Sequence, residues 1–222
     1  MAATGMLKGL TFNYVDVLIV VWLAIGLFRG RSRGMTLEVL PMFEWILIVV
    51  LAGFFYGPLA SAIFHGTAGA FNRLWSNITG YVLIAFFIHL FFLWLKSGIN
   101  DKLTGSDYFG GAEYYLGMMA GFLRFACITI VLIALMNSRV YNAYELAEDA
   151  KVQKKNFEDI RFPTYMSVQN SVLKESFTGR MVELGLHPLL IASTTGNNKT
   201  PEAAGQKRDD AAYSAVFGAA KK

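Results

Sequence analysis

Charge is scarce in this sequence. Only 16% of its 222 residues are Asp, Glu, Lys or Arg, against about 25% in a typical soluble domain. What charge exists is mixed in sign. Residues 1–136 carry eight Lys/Arg and six Asp/Glu, and residues 137–222 carry twelve and ten. Neither half is a polybasic module, so no nucleic-acid partner is expected. Cysteine is almost absent as well. Cys127 stands alone, which excludes an internal disulfide, and inside an apolar run it reads as a small packing residue. The three histidines, His65, His89 and His187, show no ligand spacing, and no metal or other cofactor is expected. Enzyme signatures are missing too. There is no G-x-S-x-G, no H-E-x-x-H, no phosphate-binding G-x-x-x-x-G-K-[ST] and no pair of intramembrane aspartates to share a proton, so an enzyme is not expected.

Apolar residues are abundant, at 55% of the chain, and they come in blocks. A window of about 20 residues, the length that crosses ~30 Å of hydrocarbon, finds four candidate spans: 12–28, 45–64, 77–96 and 114–136. Lipid admits helices or closed barrels, and these runs lack the alternation of barrel strands. The expected fold class is therefore all-α: a polytopic four-helix transmembrane bundle over 1–136, with the lipid bilayer as first partner. The first span reads as a retained signal anchor. Near Asn137 the composition turns polar. Within 137–192, Tyr165, Val168, Val172, Leu173, Phe177, Met181 and Leu184 recur at three- and four-residue steps, predicting one amphipathic helix after Pro163. Its apolar face would need the bilayer surface, the bundle or another subunit. Residues 193–222 are small, polar and patternless, and are expected to be disordered.

Several residues are placed against their surroundings. Arg29, Arg31 and Arg33 lie between the first two spans, where arginines anchor topology at the cytoplasmic face. The short-loop count places that loop and Lys96/Lys102 inside, with both termini outside. Glu38 and Glu44 follow. Either a helix starting near Met35 carries both, kinked at Pro41, or a short interfacial helix at 35–44 leaves them in water before a span that begins at the interface residue Trp45. Arg124 falls near the middle of the fourth run, where a charge costs at least ~2.5–3.5 kcal/mol on insertion scales. Either Arg124 faces inward and pairs with Asp16, Glu38 or Glu44, or the buried part of the run starts later and Arg124 snorkels to the surface. Gly117 and Gly121 form a G-x-x-x-G that permits close helix approach, within the bundle or in a homo-oligomer. His89 reads as a hydrogen-bonded helix contact, with a proton-relay role as the alternative.

Two stretches carry a resemblance. Asp16 opens the first span, "RGMTLEVLPMFEW" follows at 33–45, and "LGMMAGFLR" lies at 116–124. Together, in this order, they resemble the colicin V production protein (CvpA) family of bacterial inner-membrane proteins, over roughly 12–136. Where that family often has an Asp-Arg ahead of its glycine pair, this chain has Glu113-Tyr114-Tyr115. The resemblance implies a multi-pass inner-membrane protein connected with colicin V export and envelope homeostasis. It marks Asp16, Arg33, Gly34, Glu38, Gly117, Gly121 and Arg124 as the positions matching the family's motifs. Two functions from different classes follow. One is a scaffold or accessory subunit, in which Arg33, Glu38 and Arg124 hold the bundle together and residues 137–192 recruit a secretion or envelope partner. The other is an oligomeric small channel or transporter with Arg124 and Glu38 on its aqueous path.

Overall fold

The computed structural model describes residues 13–67, 71–103, 110–141, 143–157 and 163–195. The tail expected to be disordered falls, from residue 196 on, outside the described residues, as does the start of the first run. The chain divides into two compact units: Met1–Arg139 with Pro163–Thr194, and Val140–Phe162 with Thr195–Lys222.

The first unit is helical. Helix α1 (Tyr14–Leu47) leads through a π-helical turn (Ile48–Ala52) into α2 (Gly53–Gly66). Next come α3 (Arg73–Leu103), a single 3-10 turn (Gly110–Ala112) and α4 (Glu113–Asn137). By length and composition, three segments can cross a membrane: Tyr14–Gly66, Arg73–Gly98 and Gly110–Asn137. Hydropathy separates the first of these into spans 12–28 and 45–64 joined by a loop. Instead, residues on both sides of Gly34 are helical, and Gly34 alone departs, at φ 75° and ψ 167°. Only glycine adopts that pair readily.

This one residue turns the chain back on itself. In a straight helix Val15 and Val49 would stand about 50 Å apart at 1.5 Å per residue, yet both belong to one buried cluster with Ile48, Ala52, Val131, Ile133 and Ala134. The α4 contacts agree. Gly26 abuts Gly121 and Phe125, Gly30 abuts Gly117, and Gly34 abuts Glu113, so the first arm runs antiparallel to α4. Past the turn, Glu38 meets Arg124, so the second arm runs back along the same helix. The second arm passes through buried Pro41 without leaving helical dihedrals, so the interfacial helix ending before Trp45 does not form. Trp45 consequently lies within that helix and packs, partly buried, against the core cluster. Helix α3 covers α2: Gly80 sits against the Tyr56 carbonyl and Ala60, and Tyr81 is buried beside the Tyr56 ring.

The amphipathic stretch expected as one helix is two. Helix α6 (Tyr165–Asn170) and a π-helical turn (Ser171–Glu175) end at extended Ser176, where α7 (Phe177–Leu186) starts, followed by a 3-10 turn (His187–Leu189). The restart shifts the helical phase. Val172, Leu173 and Val182 are buried, but Phe177, Met181 and Leu184, which a single period puts on the same face, are exposed. This stretch packs back on the bundle. Gln169 Nε2 donates to the carbonyls of Met136 and Arg139 at the end of α4. Asn137 Nδ2 donates to the Ile191 carbonyl at 3.0 Å, and the Ala192 N–H donates to the Tyr56 hydroxyl at 2.7 Å. In the second unit, α5 (Ala143–Phe157) is a polar helix with Glu145 in its first turn and Lys154 and Lys155 in its last, which suits the helix dipole.

Candidate functional site

The site is built on a seam of glycines. A Cβ on Gly30 would lie 2.1 Å from the Gly117 carbonyl oxygen, and one on Gly121 would lie 2.3 Å from that of Gly26. Backbone therefore touches backbone, which only residues without side chains allow. The G-x-x-x-G at Gly117 and Gly121 is spent inside the chain, on Gly26, Gly30 and Gly34. That second run is itself at four-residue spacing, a signal the sequence carries but that the loop-like composition around it hides.

Close approach delivers the charges. Glu38 is 1% exposed; its Oε1 accepts from Arg33 Nη1 at 3.2 Å and its Oε2 from Arg124 Nη1 at 3.1 Å. Arg124 reaches Glu38 because a helical side chain leans toward its own N-terminus, here toward the Gly34 turn. Arg33 comes from the other side, brought round by the turn. One carboxylate thus joins both arms of the hairpin to α4. Glu113 adds a fourth charged group. Its Oε1 accepts the Thr36 N–H at 2.7 Å, at the point where the helix restarts and its first amides lack partners. In the sequence Glu113 stands out only as a departure from a pattern; its place in the first turn of α4 facing Gly34 gives it the role of a helix cap. Thr36 Oγ1, Glu113 Oε2 and Arg124 Nε are buried with no partner among the described residues.

Asp16 is a second buried carboxylate and does not meet Arg124. It closes a capping box with Asn13, accepting that backbone N–H at 3.1 Å. Its remaining bonds go to α7: Ser176 Oγ at 2.8 Å, Phe177 N–H at 3.1 Å, Thr178 N–H at 3.0 Å and Thr178 Oγ1 at 2.9 Å. Asp16 therefore caps two helices, its own and one that begins 161 residues later. The residues it holds, Ser176 and Thr178, carry no motif that would have marked them.

Glu44 takes a different partner. Its Oε1 lies 2.5 Å from His89 Nδ1, joining the second arm to α3, so His89 is a helix contact whose partner the sequence does not name. Arg29 and Arg31, expected as membrane-face anchors, are exposed at the hairpin end, where Ser32 Oγ donates to the Arg29 carbonyl at 2.8 Å. Cys127 is half-buried against the core cluster. Among the described residues, no three His, Cys, Asp or Glu side chains converge as a metal site would require.

The family model described as Colicin V production protein matches residues 15–159. That stretch contains Asp16, the whole hairpin and its charge lock, α3 and α4. No curated protein and no solved structure matches the chain.

Proposed function

The chain belongs to the colicin V production protein family, and from that premise we propose that it is a multi-pass scaffold or accessory protein of the bacterial inner membrane. It supports secretion or envelope homeostasis by holding a rigid helical platform, without catalysis. The membrane assignment itself rests on the family and on three long apolar segments. The Tyr14–Gly66 segment crosses twice, giving four crossings, with Gly34 at the turn. Support comes from the return of Ile48–Ala52 to the level of Val15.

One observation carries the scaffold reading. Glu38 is buried, and both its oxygens are occupied by guanidinium groups from two different segments. A carboxylate lining an aqueous path would be open to water; this one acts as an internal cross-link. The partner-recruiting role falls to α5, because residues 163–194 are taken up by the bundle.

The test is ion conductance of the purified protein in planar bilayers, with Arg124→Ala alongside and thermal unfolding of both in detergent. A scaffold gives no current and a lowered Tm for the variant. A current that Arg124→Ala abolishes or reselects overturns the reading and places Arg124 and Glu38 on a pore.

A further inference from the structure

The scaffold role leaves the Glu44–His89 pair unused, and its position is unusual. His89 lies about 24 Å from Arg73 and about 14 Å from Gly98 along a helix rising 1.5 Å per residue, well inside the hydrocarbon region. Its side chain is nevertheless 52% exposed, against 15% for Glu44. It points out of the chain. Around it, Phe86, Leu90 and Leu93 share its side of α3 at three- and four-residue spacing and are all exposed.

Protons decide what the outer edge of the pair offers. The contact can be drawn as imidazolium with carboxylate or as imidazole with carboxylic acid, and neither drawing carries a net charge. Both forms leave an N–H on His89 Nε2 and an acceptor oxygen on Glu44, since the 2.5 Å contact uses only Nδ1 and Oε1. Neither Nε2 nor Oε2 has a partner among the described residues. Acyl chains supply no donor and no acceptor, so facing lipid leaves both groups unsatisfied.

We propose that this face of α3 is a self-association surface whose occupant is a second copy of the chain. In a two-fold arrangement His89 Nε2 of each copy donates to the Glu44 carboxyl of the other, and the Phe86, Leu90 and Leu93 side chains pack around that centre. The patch suits this closure because it holds a donor and an acceptor together, as an isologous interface requires. The other helix-association device, the glycine seam, is consumed within the chain. Association is left to this polar centre.

The test uses the full chain, fluorescently labelled and reconstituted in phosphatidylcholine vesicles, with energy transfer followed as the protein is diluted into lipid. Dimers should form, and His89→Leu should weaken them about tenfold, the loss of two interhelical hydrogen bonds. Leu90→Cys, in a Cys127→Ala background, should cross-link between copies under mild oxidation, which keeps the test decisive if His89→Leu fails to fold. A wild type that stays monomeric at every protein-to-lipid ratio overturns the proposal and leaves lipid or another protein as the cover. Dimers indifferent to His89→Leu that do not cross-link at Leu90→Cys overturn it too, by placing the interface elsewhere.

Discussion

Replacing Glu38 by Gln tests the charge lock most directly, because the structure makes the three members of the lock unequal. Glu38 is 1% exposed and serves two arginines, whereas the Arg33 side chain is 40% exposed and serves one carboxylate. Glutamine keeps the shape of glutamate but turns an NH2 group toward one guanidinium and leaves two cations without an anion between them. Removing one partner of a buried ion pair costs about 3–5 kcal/mol, which for a chain of this size lowers Tm by roughly 6–20 °C. Arg33→Gln leaves Arg124 on Glu38 and breaks only a half-exposed contact, worth at most about 1 kcal/mol and therefore no more than about 4 °C. Thermal unfolding in detergent, with Arg124→Gln and the Glu38→Gln/Arg124→Gln double variant completing a cycle, reads the order and the coupling. Equal shifts for Glu38→Gln and Arg33→Gln, or additive single effects of Glu38 and Arg124, would refute the assignment of Glu38 as the buried cross-link.

The remaining predictions concern the seam, the tail and the number of crossings. Gly30→Ala drives a Cβ into the Gly117 carbonyl and should cost about 1–3 kcal/mol of overpacking, whereas Gly57→Ala, which meets nothing within 4 Å, should be neutral or slightly stabilising in the same melt. Asp16→Asn sets an NH2 among five donors and should strand buried amides at about 1–3 kcal/mol; hydrogen exchange should quicken at Phe177 and Thr178 and not at Glu113–Asn137, and unchanged exchange at those two amides would count against the latch. In inverted and right-side-out vesicles of a Cys127→Ala chain, Ser32→Cys should react with an impermeant thiol reagent from the cytoplasmic face and Thr67→Cys from the other; labelling from one common face would exclude two crossings within Tyr14–Gly66.

How far the sequence carries depends on the range of the physics involved. A charge in an apolar run must find a counter-charge, and few acids are available, so the sequence alone directs Arg124 to Asp16, Glu38 or Glu44. Choosing Glu38 requires the fold. The hairpin shows the limit most clearly. Arg29, Gly30, Arg31, Ser32 and Arg33 have the composition of a loop, yet the helix runs through them, and the reversal occupies Gly34 alone. A turn of one left-handed residue leaves no compositional trace beyond the glycine itself. In the tail, a single helical period runs across Ser176 in the sequence, but the extended residue there resets the phase, so Phe177, Met181 and Leu184 face outward. Asp16 marks the opening of a span, but nothing local reveals donors from Ser176 to Thr178.

The acids of the bundle follow a common rule. The first turn of a helix exposes amides without partners, as at the restart after Gly34 and at the start of α7. A carboxylate from another segment stands at each, Glu113 on the Thr36 N–H and Asp16 on the Phe177 and Thr178 N–H groups. Glu38 stands between two arginines that the hairpin brings together. Three acids thereby meet needs arising within the chain, as the proposed platform requires. Glu44 differs from them, because its partner looks outward. The family match ends at residue 159, short of Ser176 and Thr178, which occupy Asp16. The lock is therefore closed within the family-matched part, while the Asp16 cap joins that part to residues beyond it. Loosening the cap should free α7 without unseating Glu38, and the two variants, Asp16→Asn and Glu38→Gln, should be additive in stability because they share no partner.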